Sequence, residues 1–151
     1  MLYDAPWWRA DGLSGQVLSL DDPVATTFDN SPADGDAGVL LAFVEAEHAR
    51  RLGRLEPAER RATVMECLER FFGPRVREAR DYAELDWSTE QFTRGCYGGR
   101  PGAGVLTSFG TALREPEGRI HWAGAETSVE SCGYMDGAVR SGLRAAAEVT
   151  D

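Results

Sequence analysis

The chain has 151 residues, 42% apolar and 27% charged, which is ordinary globular composition with length for one domain and excludes a disordered tail. Twenty-five acidic residues against sixteen basic ones give a net charge of −9, and all sixteen basic residues are Arg. Without Lys, no Schiff-base chemistry can start from a side chain here, and the acidic balance argues against capture of nucleic acid or anionic lipid.

From the N-terminus, Asp4-Ala5-Pro6-Trp7-Trp8 exposes two large aromatics with little preceding sequence to cover them. Residues 14–20 alternate loosely around Val17, Leu18 and Leu20, and residues 24–28 carry two Thr and a Phe before the break at residues 30–35. Two strands and a turn are expected. The run Val39-Leu40-Leu41-Ala42-Phe43-Val44 reads as a strand buried on both faces, leading into a charged helix over residues 45–54. A second helix starts near Pro57, repeats apolar residues at Val64, Met65, Leu68, Phe71 and Phe72, and stops at Gly73-Pro74. Residues 45–80 sum to +2 between flanks of −6 and −5, a local basic excess that reads as a solvated helix face.

A strand is expected over part of residues 76–87, and a short helix over residues 106–113 before a Pro-Glu-Gly turn at 116–118. Arg119-Ile120-His121-Trp122-Ala123-Gly124 reads as a strand ending at a glycine. Residues 134–149 form a helix whose Gly137, Ser141 and Ala145 share one face, with Ala138, Gly142 and Ala146 beside them, so another element packs very closely there. Neither internal repeat nor low-complexity linker interrupts this order, which is that of a mixed α/β (α+β) unit.

Three Cys, at 67, 96 and 132, form no Cys-x-x-Cys pair, and His48 and His121 stand far from them and from each other, so no zinc site is expected. An odd Cys count without a secretory signal points to a reducing, cytoplasmic setting in which a special Cys is reactive rather than disulfide-bonded. The longest apolar run has six residues, and neither a membrane span nor a signal peptide is expected.

Two clusters could carry chemistry. Residues 95–104 hold five Gly around Cys96 and Tyr97, which either lets backbone approach a planar ligand or makes an open surface loop. The second runs from Ala123-Gly124-Ala125-Glu126-Thr127 to Gly133-Tyr134-Met135-Asp136-Gly137. There a strand end and a helix start offer backbone N–H groups and a positive dipole end to an anion or an electron-rich ring. Glu126 is placed either to accept hydrogen bonds from ligand hydroxyls or to serve as a capping carboxylate.

Both clusters in this order resemble the C-terminal part of the flavin-containing monoamine oxidase family. The resemblance is carried by Trp87, Glu90-Gln91-Phe92, Gly95-Cys96-Tyr97, Pro101-Gly102, Leu106-Thr107-Ser108-Phe109-Gly110, Arg114-Glu115-Pro116 and Gly118-Arg119-Ile120. It continues through Ala123 to Thr127 and Gly133 to Val139, with looser similarity reaching back to Trp8. It implies the last third of a two-domain FAD-binding fold: a substrate-domain-like segment at residues 1–86, then an FAD-domain segment at residues 87–151 contributing the closing strand and helix.

The resemblance further implies oxidation of primary or secondary amines to imines by hydride transfer to flavin, with O2 reduced to hydrogen peroxide; polyamines such as putrescine are the alternative substrates. Cys96 matches a residue bonded through sulfur to the flavin in some members. Tyr97 and Tyr134 match an aromatic cage for the amine, and Trp87 matches a Trp near the ring system. Gly124, Ala125, Glu126 and Thr127 match the segment beneath the FAD phosphates and ribityl chain, and Gly133 and Met135 match the helix start at the pyrimidine edge. Such a helix start suits the negative charge that a reduced flavin carries.

The sequence also departs from the family pattern. Ala125 stands for a Thr, Ser131-Cys132 for a Trp-led pair, and Gly98-Gly99-Arg100 for aromatic and Pro residues. Neither a Gly-x-Gly-x-x-Gly turn nor the Lys near flavin N5 occurs in the chain. Three readings follow: a catalytic part whose N-terminal FAD-binding portion comes from a second chain or has been lost, a non-catalytic relic, or an assembly or binding module of the same fold.

Overall fold

A computed structural model describes residues 1–96, 98–99 and 101–150, which fall into two compact units, residues 1–85 and 86–151. Helices and strands are mixed, as the order of sequence patterns predicts.

The first unit holds a four-stranded antiparallel sheet in the order β1-β4-β3-β2, formed by β1 (Leu2–Tyr3), β2 (Val17–Leu18), β3 (Thr26–Asp29) and β4 (Gly38–Phe43). β3 pairs with β4 through Thr26 opposite Phe43 to Asp29 opposite Leu40, so the turn at residues 30–37 closes a hairpin. β4 is not buried on both faces. Leu40 is fully buried, whereas Leu41, one residue on, is 39% exposed beside its partner Phe28. In an antiparallel sheet covered on one side, alternate residues point away from the core.

Three helices belong to this unit: α1 (Trp7–Ala10), α2 (Ala46–Leu52) and α3 (Pro57–Phe72). Pro57 sits in the first turn of α3, and the Glu59 carboxylate accepts a hydrogen bond from the Glu56 backbone N–H at 3.4 Å. Its apolar stripe of Val64, Met65, Cys67, Leu68 and Phe72 is buried in one cluster with Tyr3, Trp7, Trp8, Val24, Leu40, Leu52 and Val76. Burial pushes the Cys67 thiol up. At the surface of α2 and α3, Arg50 pairs with Glu47, Arg60 with Glu84 and Arg70 with Asp22.

The expected exposure of Trp7 and Trp8 is overturned. Trp8 is fully buried and Trp7 nearly so, packed edge-to-face with each other and with Tyr3 at centroid distances of 5.6–6.1 Å. Their cover comes from residues distant in sequence: Arg75 lies 4.8 Å over the Trp7 ring, and the Tyr3 hydroxyl donates to the Val76 carbonyl at 2.9 Å. The strand expected within residues 76–87 is also absent. Residues Pro74–Glu78 form a 3-10 turn, and the only ladder contact is the isolated bridge between Asp81 and Leu2.

Asp29 joins α1 to the sheet. Its carboxylate accepts from Trp8 Nε1 at 2.9 Å, Arg9 Nε at 2.6 Å and the Ser31 backbone N–H at 3.0 Å. Burial alone raises its pKa, but the donors from Arg9, Ser31 and Trp8 outweigh that and hold the carboxyl well below the usual carboxylate range. A depressed folded-state pKa stabilises the fold above the unfolded value of about 4 and loses that stabilisation as pH falls through the folded value. Asp29→Ala is therefore expected to cost about 2–3 kcal/mol at neutral pH, because it strands the Trp8 N–H. In urea titrations the gap between wild type and variant should stay constant from pH 7 to about 5 and narrow in strong acid. A gap that widens on acidification contradicts the assignment.

The second unit contains α4 (Val105–Phe109), continued by a 3-10 turn at Gly110–Leu113, and α5 (Met135–Thr150). The strand expected at residues 119–124 does not form; Glu117 and Ile120 make a single bridge across the turn. A strand exists only through a paired neighbour, and the described residues of this unit supply none. No helix among the described residues is long and apolar enough to cross a membrane.

Candidate functional site

The second unit is organised around a turn laid against α5. Gly124 has φ 154° and ψ 157°, and a Cβ placed on it would lie 3.1 Å from Glu126 Oε2, so the backbone there is bare by necessity. Ala125–Thr127 follow as a 3-10 turn. The Thr127 backbone N–H and hydroxyl both donate to the Gly124 carbonyl, at 3.0 and 2.9 Å. The Gly133 N–H donates to the Ala125 carbonyl at 3.2 Å, which brings the start of α5 back beside the turn.

α5 approaches this loop very closely. A Cβ at Gly137 would sit 2.2 Å from the Ser131 carbonyl oxygen. Gly137 and Ser141 are buried and Ala145 is half-buried, which is the close packing that their spacing predicts. The adjacent line is open: Ala138, Gly142 and Ala146 are exposed, as are Val139 and Leu143, at 63% and 69%.

The helix start presents its side chains outward. Tyr134 is 74% exposed and Met135 88%. The first turn of a 16-residue helix carries backbone N–H groups without intrahelical partners, and the dipole there favours negative charge. Asp136 already sits in that turn, and the hydrogen bond from Arg140 Nε at 2.7 Å holds its carboxyl below the usual range. Glu126 is exposed beside Gly124, so its carboxylate is accessible to hydroxyl donors.

Of the residues singled out in the sequence, Gly124, Ala125, Glu126, Thr127, Gly133 and Met135 come together in this turn-and-helix arrangement, with Tyr134 at its edge. Trp87 opens a separate 3-10 turn, Trp87–Thr89, fixed by the Asp86 carboxylate accepting from the Ser88 N–H at 2.9 Å. Cys96 is a free, exposed thiol in the glycine-rich loop. Among the described residues, no atom lies within 4 Å of a Cβ placed at Gly95, Gly98, Gly99, Gly102 or Gly104. Among the described residues, no hydrogen bond or ring contact joins Trp87 or Cys96 to Tyr134. Tyr97, expected to pair with Tyr134, lies outside the described residues.

Of the polar side chains that hold the turn, Ser141 is expected on the closely packed face of α5, whereas the sequence carries no expectation for Arg144 and Glu148. Ser141 is 1% exposed, and its Oγ accepts from the Gly124 N–H at 2.9 Å. Arg144 donates to the Trp122 carbonyl at 2.7 Å and to Thr127 Oγ1 at 3.2 Å, and pairs with Glu148 at 2.6 Å. Glu148 also takes a hydrogen bond from His121 Nδ1 at 3.0 Å, and these two donors, His121 first, lower its pKa. The signal was present in the spacing, since 137, 141, 144 and 148 fall on one helix face.

Comparison with known proteins gives this geometry a family. The model of the flavin containing amine oxidoreductases matches residues 1–150. Amine oxidase [flavin-containing] B of Sus scrofa is 37% identical over 152 residues, covering 97% of this chain and 29% of that protein. The solved structure of wild-type putrescine oxidase bound to putrescine superposes with a TM-score of 0.92 at 38% identity, covering 99% of this chain and 33% of that one. Cyclohexylamine oxidase from Brevibacterium oxydans gives 0.89 at 32% identity, covering 98% and 33%. The chain thus spans about a third of the length of the relatives it matches. A match along nearly its whole length in both sequence and backbone makes this chain a member of the flavin-containing amine oxidoreductase family.

Proposed function

We propose that the chain supplies the C-terminal part of an FAD-dependent amine oxidase: residues 1–86 as part of the substrate domain and residues 87–151 as the closing part of the FAD domain. The observation that carries this reading is the bare turn at Gly124, held against the start of α5 with Glu126 exposed beside it. That arrangement fits the polar chain of a flavin dinucleotide, because a backbone without side chains admits phosphate closely and a free carboxylate accepts from ribose or ribityl hydroxyls.

When bound, FAD supplies the two-electron acceptor for oxidation of an amine to an imine, with O2 as the final oxidant. The chain's own residues bind and orient. Met135 and Gly133 present the helix start to the pyrimidine edge, and Ala125 and Thr127 shape the turn beneath the ribityl chain. Tyr134, with Tyr97, would wall the path of the amine, and Trp87 would stand near the ring system; two phenol faces would admit a slim amine and exclude wide groups. Cys96, free and exposed, is the thiol that a covalent link to flavin would use, as in some members of the family.

The exposed apolar side chains of Val139, Leu143 and Val149 on α5, at 63–69%, support a requirement for the rest of the fold, including its Gly-x-Gly-x-x-Gly turn and its Lys. Primary and secondary amines are the substrate class. Polyamines are the second reading, favoured by the superposition on a putrescine-bound oxidase.

The test is reconstitution. Purified chain is mixed with FAD, alone or co-expressed with a polypeptide carrying the N-terminal two-thirds of the family fold, and then given benzylamine or putrescine. Bound-flavin absorbance and peroxide release are expected only with the partner, and acid precipitation should leave flavin in the pellet for wild type but not for Cys96→Ala. Flavin retained by the chain alone contradicts the need for a partner; no flavin with the partner favours the relic.

A further inference from the structure

We propose that Ser141 and Arg144 are positioning residues that lock the Trp122–Thr127 turn into the shape that receives the dinucleotide. The inference rests on the FAD reading above and extends it to residues that touch no cofactor.

The turn is tied at three points by two side chains about one helical turn apart on α5. Ser141 Oγ accepts from the Gly124 N–H at 2.9 Å and donates to the Ala138 carbonyl at 2.8 Å, so the buried hydroxyl has both a donor and an acceptor partner. Arg144 Nη2 bridges the two flanks of the turn, donating to the Trp122 carbonyl at 2.7 Å and to Thr127 Oγ1 at 3.2 Å. Thr127 Oγ1 in turn donates to the Gly124 carbonyl at 2.9 Å, which closes the circuit from Arg144 through Thr127 to the residue that Ser141 holds. The guanidinium is aimed from behind by Glu148, whose second oxygen is held by His121.

The planar fork of Arg suits this work. Its two terminal nitrogens work at a fixed separation, Nη1 on the Glu148 carboxylate and Nη2 on both flanks, whereas an ammonium must serve all three acceptors from one nitrogen. The turn lacks the strand ladder that would otherwise order it, since residues 121–123 pair with no neighbour among the described residues. Its order comes instead from these side chains. A loop ordered before its ligand arrives spares the ligand the entropy of ordering it, so loosening the clamp weakens binding without removing any contact to the ligand.

Two measurements test the proposal. In the first, hydrogen exchange is followed in the chain alone, without FAD, for wild type, Ser141→Ala and Arg144→Met. Protection at residues 122–128 should fall in both variants while the first unit is unchanged. In the second, FAD affinity is measured by flavin fluorescence in the protein reconstituted with the N-terminal two-thirds. Affinity should fall about 10- to 100-fold in Arg144→Met and less in Ser141→Ala. Arg144→Lys, which keeps the charge but must serve Glu148 and both flanks from one nitrogen, should recover only part of the loss.

Arg50→Met is the control. It removes an exposed ion pair within α2, to Glu47, and should leave both readouts unchanged. If Arg144→Met fails to fold, Thr127→Val against Thr127→Ser decides the matter, because only Ser keeps the hydroxyl that Arg144 and Gly124 share. Exchange and affinity within twofold of wild type in the variants overturn the clamp and leave the FAD reading standing. A reconstituted wild type that binds no FAD overturns the reading beneath it and the proposal together.

Discussion

Gly137→Ala is expected to destabilise α5 in the isolated chain by about 2 kcal/mol, whereas Gly142→Ala, five residues on, stabilises it by up to about 1 kcal/mol. Both exchanges carry the same gain in helix propensity, about 1 kcal/mol. They differ in what the new methyl group meets. At Gly142 it meets nothing within 4 Å; at Gly137 it would lie 2.2 Å from the Ser131 carbonyl oxygen and 2.9 Å from its carbon. Those are backbone atoms that cannot rotate aside, so the Ser131–Tyr134 turn must move and the hydrogen bond from the Tyr134 N–H to the Ser131 carbonyl, 3.0 Å long, is strained or lost. Overpacking against backbone costs about 1–3 kcal/mol or more, which exceeds the propensity gain. Far-UV circular dichroism melts of the two variants should shift in opposite directions. In the reconstituted protein Gly137→Ala should also weaken FAD binding by at least about tenfold, because the same loop carries Gly133 and Tyr134.

The other large effect belongs to Trp8→Ala. Trp8 is fully buried against Tyr3 and Trp7, and removing its indole leaves a cavity with the lost transfer energy, about 3–5 kcal/mol together. The exchange also takes a donor from Asp29. Against a typical total stability of about 5–15 kcal/mol, the first unit becomes marginal. Trp8→Phe keeps most of the packing and loses only the N–H, so about 1–2 kcal/mol is expected. Urea titrations should give the order wild type, Trp8→Phe, Trp8→Ala; equal midpoints for the two variants would show that the indole N–H, not the ring, carries the effect.

The elements legible in the sequence were those whose signals are local. α3 was readable because Val64, Leu68 and Phe72 repeat at helical spacing between Pro57 and Gly73. The close packing of α5 was readable because Gly137 and Ser141 fall on one face. What escaped depended on distant partners. Trp7 and Trp8 are covered by Tyr3, Val76 and Arg75, and no local window reports a neighbour nearly seventy positions away. The expected strands at residues 76–87 and 119–124 had strand-like composition but make only isolated bridges among the described residues, and composition alone does not provide a ladder. β4 was found, yet its two-sided burial was not, because an apolar run reads the same whether one face or both are covered.

The candidate site divided in the same way. Glycines and the Ala125-Glu126-Thr127 stretch stood out as a motif, and the structure gathers them at one turn. Arg144 and Glu148 did not, because on a helix surface they have the composition of ordinary solvated residues, and Ser141 stood out for its small side chain on the packed face rather than for its hydrogen bonds. Only the hydrogen bonds to Gly124, Trp122 and Thr127 distinguish them.

All twelve residues of the apolar core lie within residues 1–85, while the second unit's buried residues among those described are Gly137 and Ser141. The chain therefore spans a gradient of local opening free energy, steep at one end and shallow at the other. Damage to the first half is read out as melting. Damage to the second half leaves the transition of the first unit nearly untouched, shows itself in the α5 signal and surfaces as lost ligand affinity, so a variant silent in the first unit's transition is not thereby functionally silent.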